Sequence, residues 1–427
     1  MTTNIQRYNL EPGYSGECQV CQSTDLQPVI DLGYSAPCDS LLRREDLRKP
    51  ETAYPLSLFR CRACGLPQID YVVEPEVLFH KNYPYRSGIT ESLRKFLHSL
   101  SDRMVPALGL KKGDLIIDIG SNDGTLLEGF KNHEMRVLGV EPTDIAHIAR
   151  EAGVETIQKF FTLRVAEEIN EAHGEASLVA AANVFAHINH VGDLMAGVKR
   201  VLKDGGYFVT ESHYMLDILK TLQYDSIYHE HLRFYLMKPL IELFDSFGFT
   251  VVDVERIPNY GGSIRVTAQL GNGHEVASSV GELIAEEEAY NCYSDATYDE
   301  FAKNIRRSRS EIRSTLVKIQ EEGKTVAGVG CPGRCVTLLT YAGITNDLLP
   351  YIAEQSTSLK LGLFTPMTHL PVIDEEILFR DPPDYVLILS WHYADAIMRN
   401  LKKKGLRSDV IVPLPEVRIV RHEDIPN

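Results

Sequence analysis

The hydrophobic pattern changes period several times along the chain. Between Ser92 and Leu108, the residues Leu93, Phe96, Leu97, Leu100 and Met104 recur at helical spacing, which predicts a helix with one apolar face. Short apolar runs follow at Leu115–Ile119, Arg136–Val140, Ser177–Ala181 and Tyr207–Thr210. Each has the length of a buried strand, and helical segments lie between them. Lys203-Asp204-Gly205-Gly206 precedes the last run and is expected to turn a helix into a strand. Strands alternating with helices predict a parallel sheet with crossovers. The runs at 249–255 and 263–270 are expected to pair as a hairpin across Asn259-Tyr260-Gly261-Gly262. Residues 276–322, carrying Glu286-Glu287-Glu288 and Arg306-Arg307, read as a solvated helical connector. A second α/β unit opens with the strand Thr325–Val329 and the loop Gly330–Arg334, and continues at Tyr385–Leu389 and Asp409–Val412.

A length of 427 residues allows two to three domains with ample core. The formal net charge of −15 narrows the partners. Nucleic acid or an anionic membrane would need a basic face, so neither is expected. A negatively charged small substrate still fits if a local pocket is basic. No apolar run reaches membrane-span length, and the opening Met-Thr-Thr-Asn-Ile-Gln shows no secretory signal, so a cytoplasmic location is expected.

Eight cysteines are present, and four of them form two C-x-x-C pairs, Cys18/Cys21 and Cys61/Cys64. Two such knuckles offer four thiolates to one tetrahedral Zn²⁺. Gly65 follows the second knuckle, where a tight turn favours glycine. Four protein ligands leave no open position, so such a zinc is structural. Ordinary cytosolic thiols or a redox pair are the other readings.

The loop Asp118-Ile119-Gly120-Ser121-Asn122-Asp123-Gly124-Thr125 follows the first central strand and opens a helix. Its glycines allow close backbone approach, and the helix start offers unpaired N–H groups. It lacks the G-x-G-x-x-G spacing that cradles a pyrophosphate. Its carboxylates would repel one and suit a cationic ligand with an ammonium and a sulfonium, such as S-adenosylmethionine. Glu141 ends the next strand, 21 residues after Gly120, where a carboxylate can accept from ribose hydroxyls. Asn183 and His187 follow the strand that begins near Ser177, at the edge of the sheet where ligands bind.

About a hundred residues after the 118–125 loop, Tyr224-Asp225-Ser226-Ile227-Tyr228-His229-Glu230-His231 concentrates proton-transfer groups. The spacing is not the H-E-x-x-H of a helical metal site. On a helix, Tyr228 and His231 would share a face. In an extended loop, Tyr228 would pair with Glu230, and His229 with His231. Either way a carboxylate stands beside a histidine, which suits a general base. A polar loop beside a cleft is the other reading.

Taken together, the C-x-x-C pairs, Tyr83-Pro84-Tyr85-Arg86-Ser87, the 118–125 loop, Asn183-Val184-Phe185-Ala186-His187-Ile188, Tyr228–His231, Asn259-x-Gly261-Gly262-Ser263 and the C-terminal glycine loop resemble the NDP-sugar C-methyltransferases over nearly the whole chain. That family methylates C3 of nucleotide-linked 4-keto-deoxysugars. The resemblance implies an α/β protein in several parts: a zinc-binding module at 1–80, a seven-stranded Rossmann-like S-adenosylmethionine domain at 81–275, the connector at 276–322, and a Rossmann-like nucleotide-sugar domain at 323–427. It implies His231, Tyr228, Glu230, His187 and Tyr85 as catalytic residues. Tyr83, Ser87, Asp118, Gly120, Asn122, Gly124, Glu141 and Asn183 would hold the cofactor. Asn259, Gly262, Ser263, Arg265, Gly330, Arg334 and Lys360 would hold the sugar nucleotide. One segment departs from the family pattern: Gly330-Cys331-Pro332-Gly333-Arg334-Cys335 stands where Gly-Ala-x-Ala-Lys-Gly is usual. Arg334 would then replace a lysine at the phosphates, where its fork fits well. Two other readings remain: an NAD(P)-dependent oxidoreductase or epimerase on the same sugars, and a zinc-stabilised interaction protein with a decayed methyltransferase domain.

Overall fold

A computed structural model describes residues 5–80, 86–88 and 91–426. The N-terminal part holds β1 (Gly13–Tyr14), β2 (Leu26–Ser35), β3 (Tyr54–Cys61), β4 (Pro67–Ile69) and β5 (Tyr71–Val72). β2, β3 and β4 form an antiparallel sheet, and β1 pairs with β5.

The central sheet has seven strands: β6 (Leu115–Ile119), β7 (Arg136–Val140), β8 (Thr156–Ile157), β9 (Ala176–Ala182), β10 (Leu202–His213), β11 (Phe249–Ile257) and β12 (Ser263–Leu270). Their spatial order is β11-β12-β10-β9-β6-β7-β8. The five strands from β6 to β10 run parallel, and the β11–β12 hairpin extends the β10 edge antiparallel. Successive side chains on a strand point to opposite faces. Ile116, Leu178 and Val209 therefore pack with Leu97, Leu100 and Phe130 on one face. Ile117, Val179 and Phe208 pack with Leu194 and Val198 on the other. Burial on both faces explains why these strands read as continuous apolar runs.

The C-terminal sheet comprises β13 (Val326–Val329), β14 (Ile352–Glu354), β15 (Val372–Asp374), β16 (Tyr385–Ile388), β17 (Asp409–Val412) and β18 (Arg418–Val420), in the order β15-β14-β13-β16-β17-β18. Only β18 runs antiparallel. No helix among the described residues is long and apolar enough to cross a membrane.

Two expectations change. Lys203–Gly206 is not a separate turn; it is an irregular stretch inside β10, with a register shift between Leu202 and Tyr207 and Gly205 at φ +68°. The 276–322 segment is not merely solvated. Its helix Asp295–Glu321 buries Tyr298, Phe301, Ile305, Ile312 and Leu316 along one side. Glu287, inside the acidic run, is fully buried. It accepts hydrogen bonds from the Tyr214 hydroxyl at 2.8 Å, the Met237 N–H at 2.9 Å and the Tyr293 hydroxyl. Arg60 of β3 is also buried, and it donates to Gln27, to the Tyr293 carbonyl and to Asp295. Charged residues here form a seam between segments far apart in sequence, which composition alone does not reveal.

Candidate active site

The four knuckle cysteines meet. Their sulfurs lie within 4.8 Å of one another, with Cys18–Cys64 and Cys21–Cys61 separations of 3.5 Å. A zinc at ~2.3 Å from each of four sulfurs holds them ~3.8 Å apart, so the set fits a tetrahedral ion. Gly65 has φ +89°, and a Cβ there would stand 2.4 Å from the Tyr293 ring. None of the four cysteines lines the large cleft, in keeping with a structural metal.

That cleft opens at the carboxyl ends of the parallel strands. The chain leaves β6 towards β7 on one side and β9 on the other, and such a switch point leaves a crevice. Gly120, Glu141, Asn183 and His213, which follow or close β6, β7, β9 and β10, all line it. A Cβ on Gly120 would lie 2.5 Å from Val184. Glu141 accepts from the Asn122 N–H at 3.1 Å, the Thr143 N–H at 2.8 Å and the Thr143 hydroxyl at 2.6 Å. The Asn183 side-chain oxygen is buried without a partner among the described residues. Ser87 also lines the cleft, and its N–H donates to the Asn122 side-chain oxygen at 2.9 Å. Phe79, Phe160, Phe161 and Ile188 give this end apolar walls. Acceptors without a basic side chain suit ribose hydroxyls and an ammonium, so these residues fit S-adenosylmethionine.

Two residues of the 118–125 loop act elsewhere. Asp118 is buried outside the cleft lining. Burial first, then Glu141 and Glu211, hold its carboxyl well above the usual range. Gly124 also lies outside the lining. At φ +81°, its missing Cβ leaves room for Val154 and Ala149 at 3.1–3.2 Å, so it serves packing. Tyr83 and Tyr85 lie outside the described residues.

The 224–231 segment begins with a short 3-10 turn at Tyr224–Ser226 and closes with a second turn, in which the His231 N–H donates to the Tyr228 carbonyl at 2.9 Å and brings the two side chains together. Tyr228 and Glu230 line the cleft. His229 points away: its Nε2 is 3.1 Å from the Pro55 carbonyl and its ring packs 5.8 Å from Tyr54. His231 is only 3% exposed and stands one layer back. Its Nδ1 lies 2.6 Å from the Ser226 carbonyl. A carbonyl can only accept, so Nδ1 carries the hydrogen and Nε2 keeps its lone pair. The His231 ring is 4.0 Å from Tyr228, 4.7 Å from His213 and 4.9 Å from His187, centre to centre. Burial first, then His213 and His187, hold His231 well below the ordinary histidine range, so it is neutral. Burial lowers His187 to about 4. Burial, then Cys38 and Glu230, push the Tyr228 hydroxyl up. The Cys38 thiol donates to Glu230 at 3.2 Å.

The opposite end of the cleft is lined by Arg334 and Lys360. Lys360 pairs with Asp39 at 2.8 Å and donates to the Cys331 carbonyl at 3.0 Å. Burial works to lower its pKa, but Asp39 and Cys331 outweigh it and raise it. Arg334 is less free than a phosphate ligand would be. Its N–H groups contact the Tyr260 carbonyl, His392, Gln223 and Asp225 at 3.2–3.5 Å. Other expected substrate residues fall outside the lining. Arg265 pairs with Glu211 at 2.6 Å and Glu255 at 3.0 Å. The Ser263 hydroxyl donates to the Asn259 carbonyl at 3.1 Å, and the Asn259 amide nitrogen is buried without a partner among the described residues. Gly262 at φ +122° avoids the Asp217 carboxylate, and Gly330 at φ +79° avoids Ser390. These glycines shape turns; they do not touch the cleft.

Sequence reasoning passed over His213, Asp39, Tyr260 and His392, all of which line the cleft. His213 had a usable signal: it closes a parallel strand, as Glu141 and Asn183 follow theirs.

An acceptor-lined end, an imidazole–phenol cluster and an end carrying Lys360 and Arg334 fit an S-adenosylmethionine-dependent methyltransferase. Family models match three consecutive segments: a zinc binding domain at 18–79, a methyltransferase domain at 85–254, and a C-methyltransferase C-terminal domain at 258–415. The C-methyltransferase NovU of Streptomyces niveus is 38% identical over 412 residues, covering 95% of this chain and 97% of that protein. The chain belongs to the NDP-sugar C-methyltransferase family. Solved structures matching part of the chain include the magnesium protoporphyrin IX methyltransferase ChlM of Synechocystis PCC 6803 with bound SAH, at 12% identity and TM-score 0.34 over 44% of this chain and 90% of that one. A SAM dependent methyltransferase from Archaeoglobus fulgidus matches at 14% identity and TM-score 0.35, over 41% and 94%. The oxidoreductase and non-catalytic readings give way to a methyltransferase enzyme.

Proposed function

We propose that this enzyme transfers a methyl group to C3 of a nucleotide-linked 4-keto-6-deoxysugar through an enolate. The observation that supports this most is the cleft itself. Neutral imidazoles and a phenol stand between an acceptor-lined end and an end where Lys360 and Arg334, paired with Asp39 and Asp225, line the cleft that would take the nucleotide. Segments 1–80, 81–275 and 323–427 then act as zinc-held support, cofactor module and sugar-nucleotide module, bridged by 276–322.

A C4 ketone acidifies the neighbouring C–H. His231, with Nε2 unprotonated, is the terminal acceptor of that proton, with Tyr228 in contact between it and the cleft. The C–H electron pair moves into the C3–C4 bond and onto the oxygen. Glu141 and Asn183 would hold S-adenosylmethionine, which would supply an electrophilic methyl group and leave as the neutral thioether. Glu141 and Asn183 orient the donor, while Lys360 offers positive charge to the nucleotide. A positioned base contributes ~10²–10⁴-fold, and alignment of the two reactants adds to it.

The test is incubation with methyl-labelled S-adenosylmethionine and the dTDP-, UDP- and GDP-linked 4-keto-6-deoxyglucoses. A carbon-bound label is expected, with carbon NMR placing it at C3. The ketone also acidifies C5, so a label there would overturn the regiochemistry alone. A label on oxygen or nitrogen would overturn the reading. His231→Asn is expected to lose turnover while keeping cofactor affinity.

A further inference from the structure

His213 holds a position that no family feature assigns. It is the last residue of β10, so the sheet fixes its backbone more firmly than a loop would. Its ring lies edge-on to His231 at 4.7 Å and to Tyr260 at 5.7 Å. It lines the cleft, and its imidazole makes no hydrogen bond with any described residue. His213 is half-buried, and the side of its ring that is not packed against His231 and Tyr260 opens to the ligand space. The charged and titratable groups around it are His231, His187, Arg334, His392 and Tyr260. His187 packs against Phe79 at the cofactor end, whereas His213 lies beside Tyr260 and near Arg334, on the sugar-nucleotide side.

Resting on the enolate reading above, we propose that His213 is a catalytic residue whose ring N–H donates a hydrogen bond to the carbonyl oxygen of the substrate and holds the negative charge that develops there. A neutral imidazole suits this role, because it offers a donor N–H without placing a competing cation beside the base. The cleft keeps His213 neutral, because burial first, then Arg334 and His187, lower its pKa well below the ordinary range. Charge is balanced through the step. The proton leaves carbon for the Tyr228 oxygen as the Tyr228 hydroxyl proton passes to His231, the electron pair reaches the oxygen facing His213, and the carbonyl reforms as carbon takes the methyl group. Neither imidazole gains or loses an electron. The proton on His231 then passes to solvent.

The experiment follows two rates on the 4-keto-6-deoxyglucose nucleotide that the wild-type protein turns over. One is methyl transfer. The other is wash-in of deuterium next to the carbonyl in D₂O, with S-adenosylhomocysteine in place of the methyl donor. Removing one oxyanion donor typically costs about 10²–10³ in kcat. His213→Leu is therefore expected to lower both rates together by that factor, with KM for S-adenosylmethionine unchanged. His213→Gln keeps a donor and is expected to recover at least tenfold over His213→Leu, which loss of fold would not permit. The proposal fails if His213→Leu keeps both rates within threefold of wild type, or if Gln and Leu fall equally. Methylation by wild type without deuterium wash-in would instead sink the enolate reading itself.

Discussion

Glu141 offers the sharpest test of the cofactor end. An ionised carboxylate has about four acceptor sites. Three protein donors reach it: the Asn122 N–H, the Thr143 N–H and the Thr143 hydroxyl. One site remains for a ligand hydroxyl in the cleft. A hydrogen bond to a charged group contributes about 1.5–3 kcal/mol. At about 1.4 kcal/mol per tenfold, Glu141→Ala should weaken S-adenosylhomocysteine binding about 10- to 150-fold. Glu141→Gln presents an amide NH₂ to one of the same N–H donors and should fall in the same range. Calorimetric titration reads the Kd, and a thermal unfolding scan confirms that the variants remain folded. A change below threefold in a folded variant would refute the assignment. So would a loss of sugar-nucleotide affinity with cofactor binding intact.

The protein should carry one zinc per chain by elemental analysis. Cys61→Ser should lose the metal and lower the unfolding temperature, whereas a fully stable zinc-free protein would remove the structural role. Burial holds His187 and His229 at about 4, against about 6.5 unfolded. Between those values the unfolded chain binds protons that the native protein excludes. Stability should therefore be intact above about pH 6.5 and fall as the pH drops towards 4. Urea midpoints at pH 7 and pH 5 check this, and a flat profile would count against buried neutral imidazoles. Asp225 is fully buried, accepts from the Trp391 indole at 2.7 Å and pairs with Arg334 at 3.5 Å. Asp225→Ala should cost about 3–5 kcal/mol in urea unfolding, because it takes the paired carboxylate from a buried guanidinium and leaves it only neutral partners. A loss under 1 kcal/mol would show that Arg334 finds another partner.

The longer buried strands, the zinc knuckles and the turn at Gly120 were legible because their causes are local. Ile116 and Ile117 must face opposite sides of a sheet wherever that sheet lies. Gly65 and Gly120 need positive φ whatever surrounds them. Glu141 follows a parallel strand, and strand ends are where such sheets bind ligands. The 224–231 cluster was visible as chemistry, but its two-sidedness was not. Only Pro55 and Tyr54, far away in sequence, show that His229 belongs to the N-terminal part.

What sequence determined by itself was the longer buried strands β6, β7, β9, β10, β13, β16 and β17, the β11–β12 hairpin, and the residues that follow β6, β7 and β9. The two- and three-residue strands β8, β14, β15 and β18 are too short to carry a period. Side-chain period, glycine conformation and knuckle spacing act over a few residues, and need no distant partner. Tertiary structure alone decided which charged groups face the ligand. Arg265 is drawn to Glu211 and Glu255, and Arg334 to Gln223, Asp225, Tyr260 and His392. It also brought His213 to His231. Those outcomes depend on which buried charge finds which partner across the folded core, and the desolvation that forces each pairing exists only once the chain has packed.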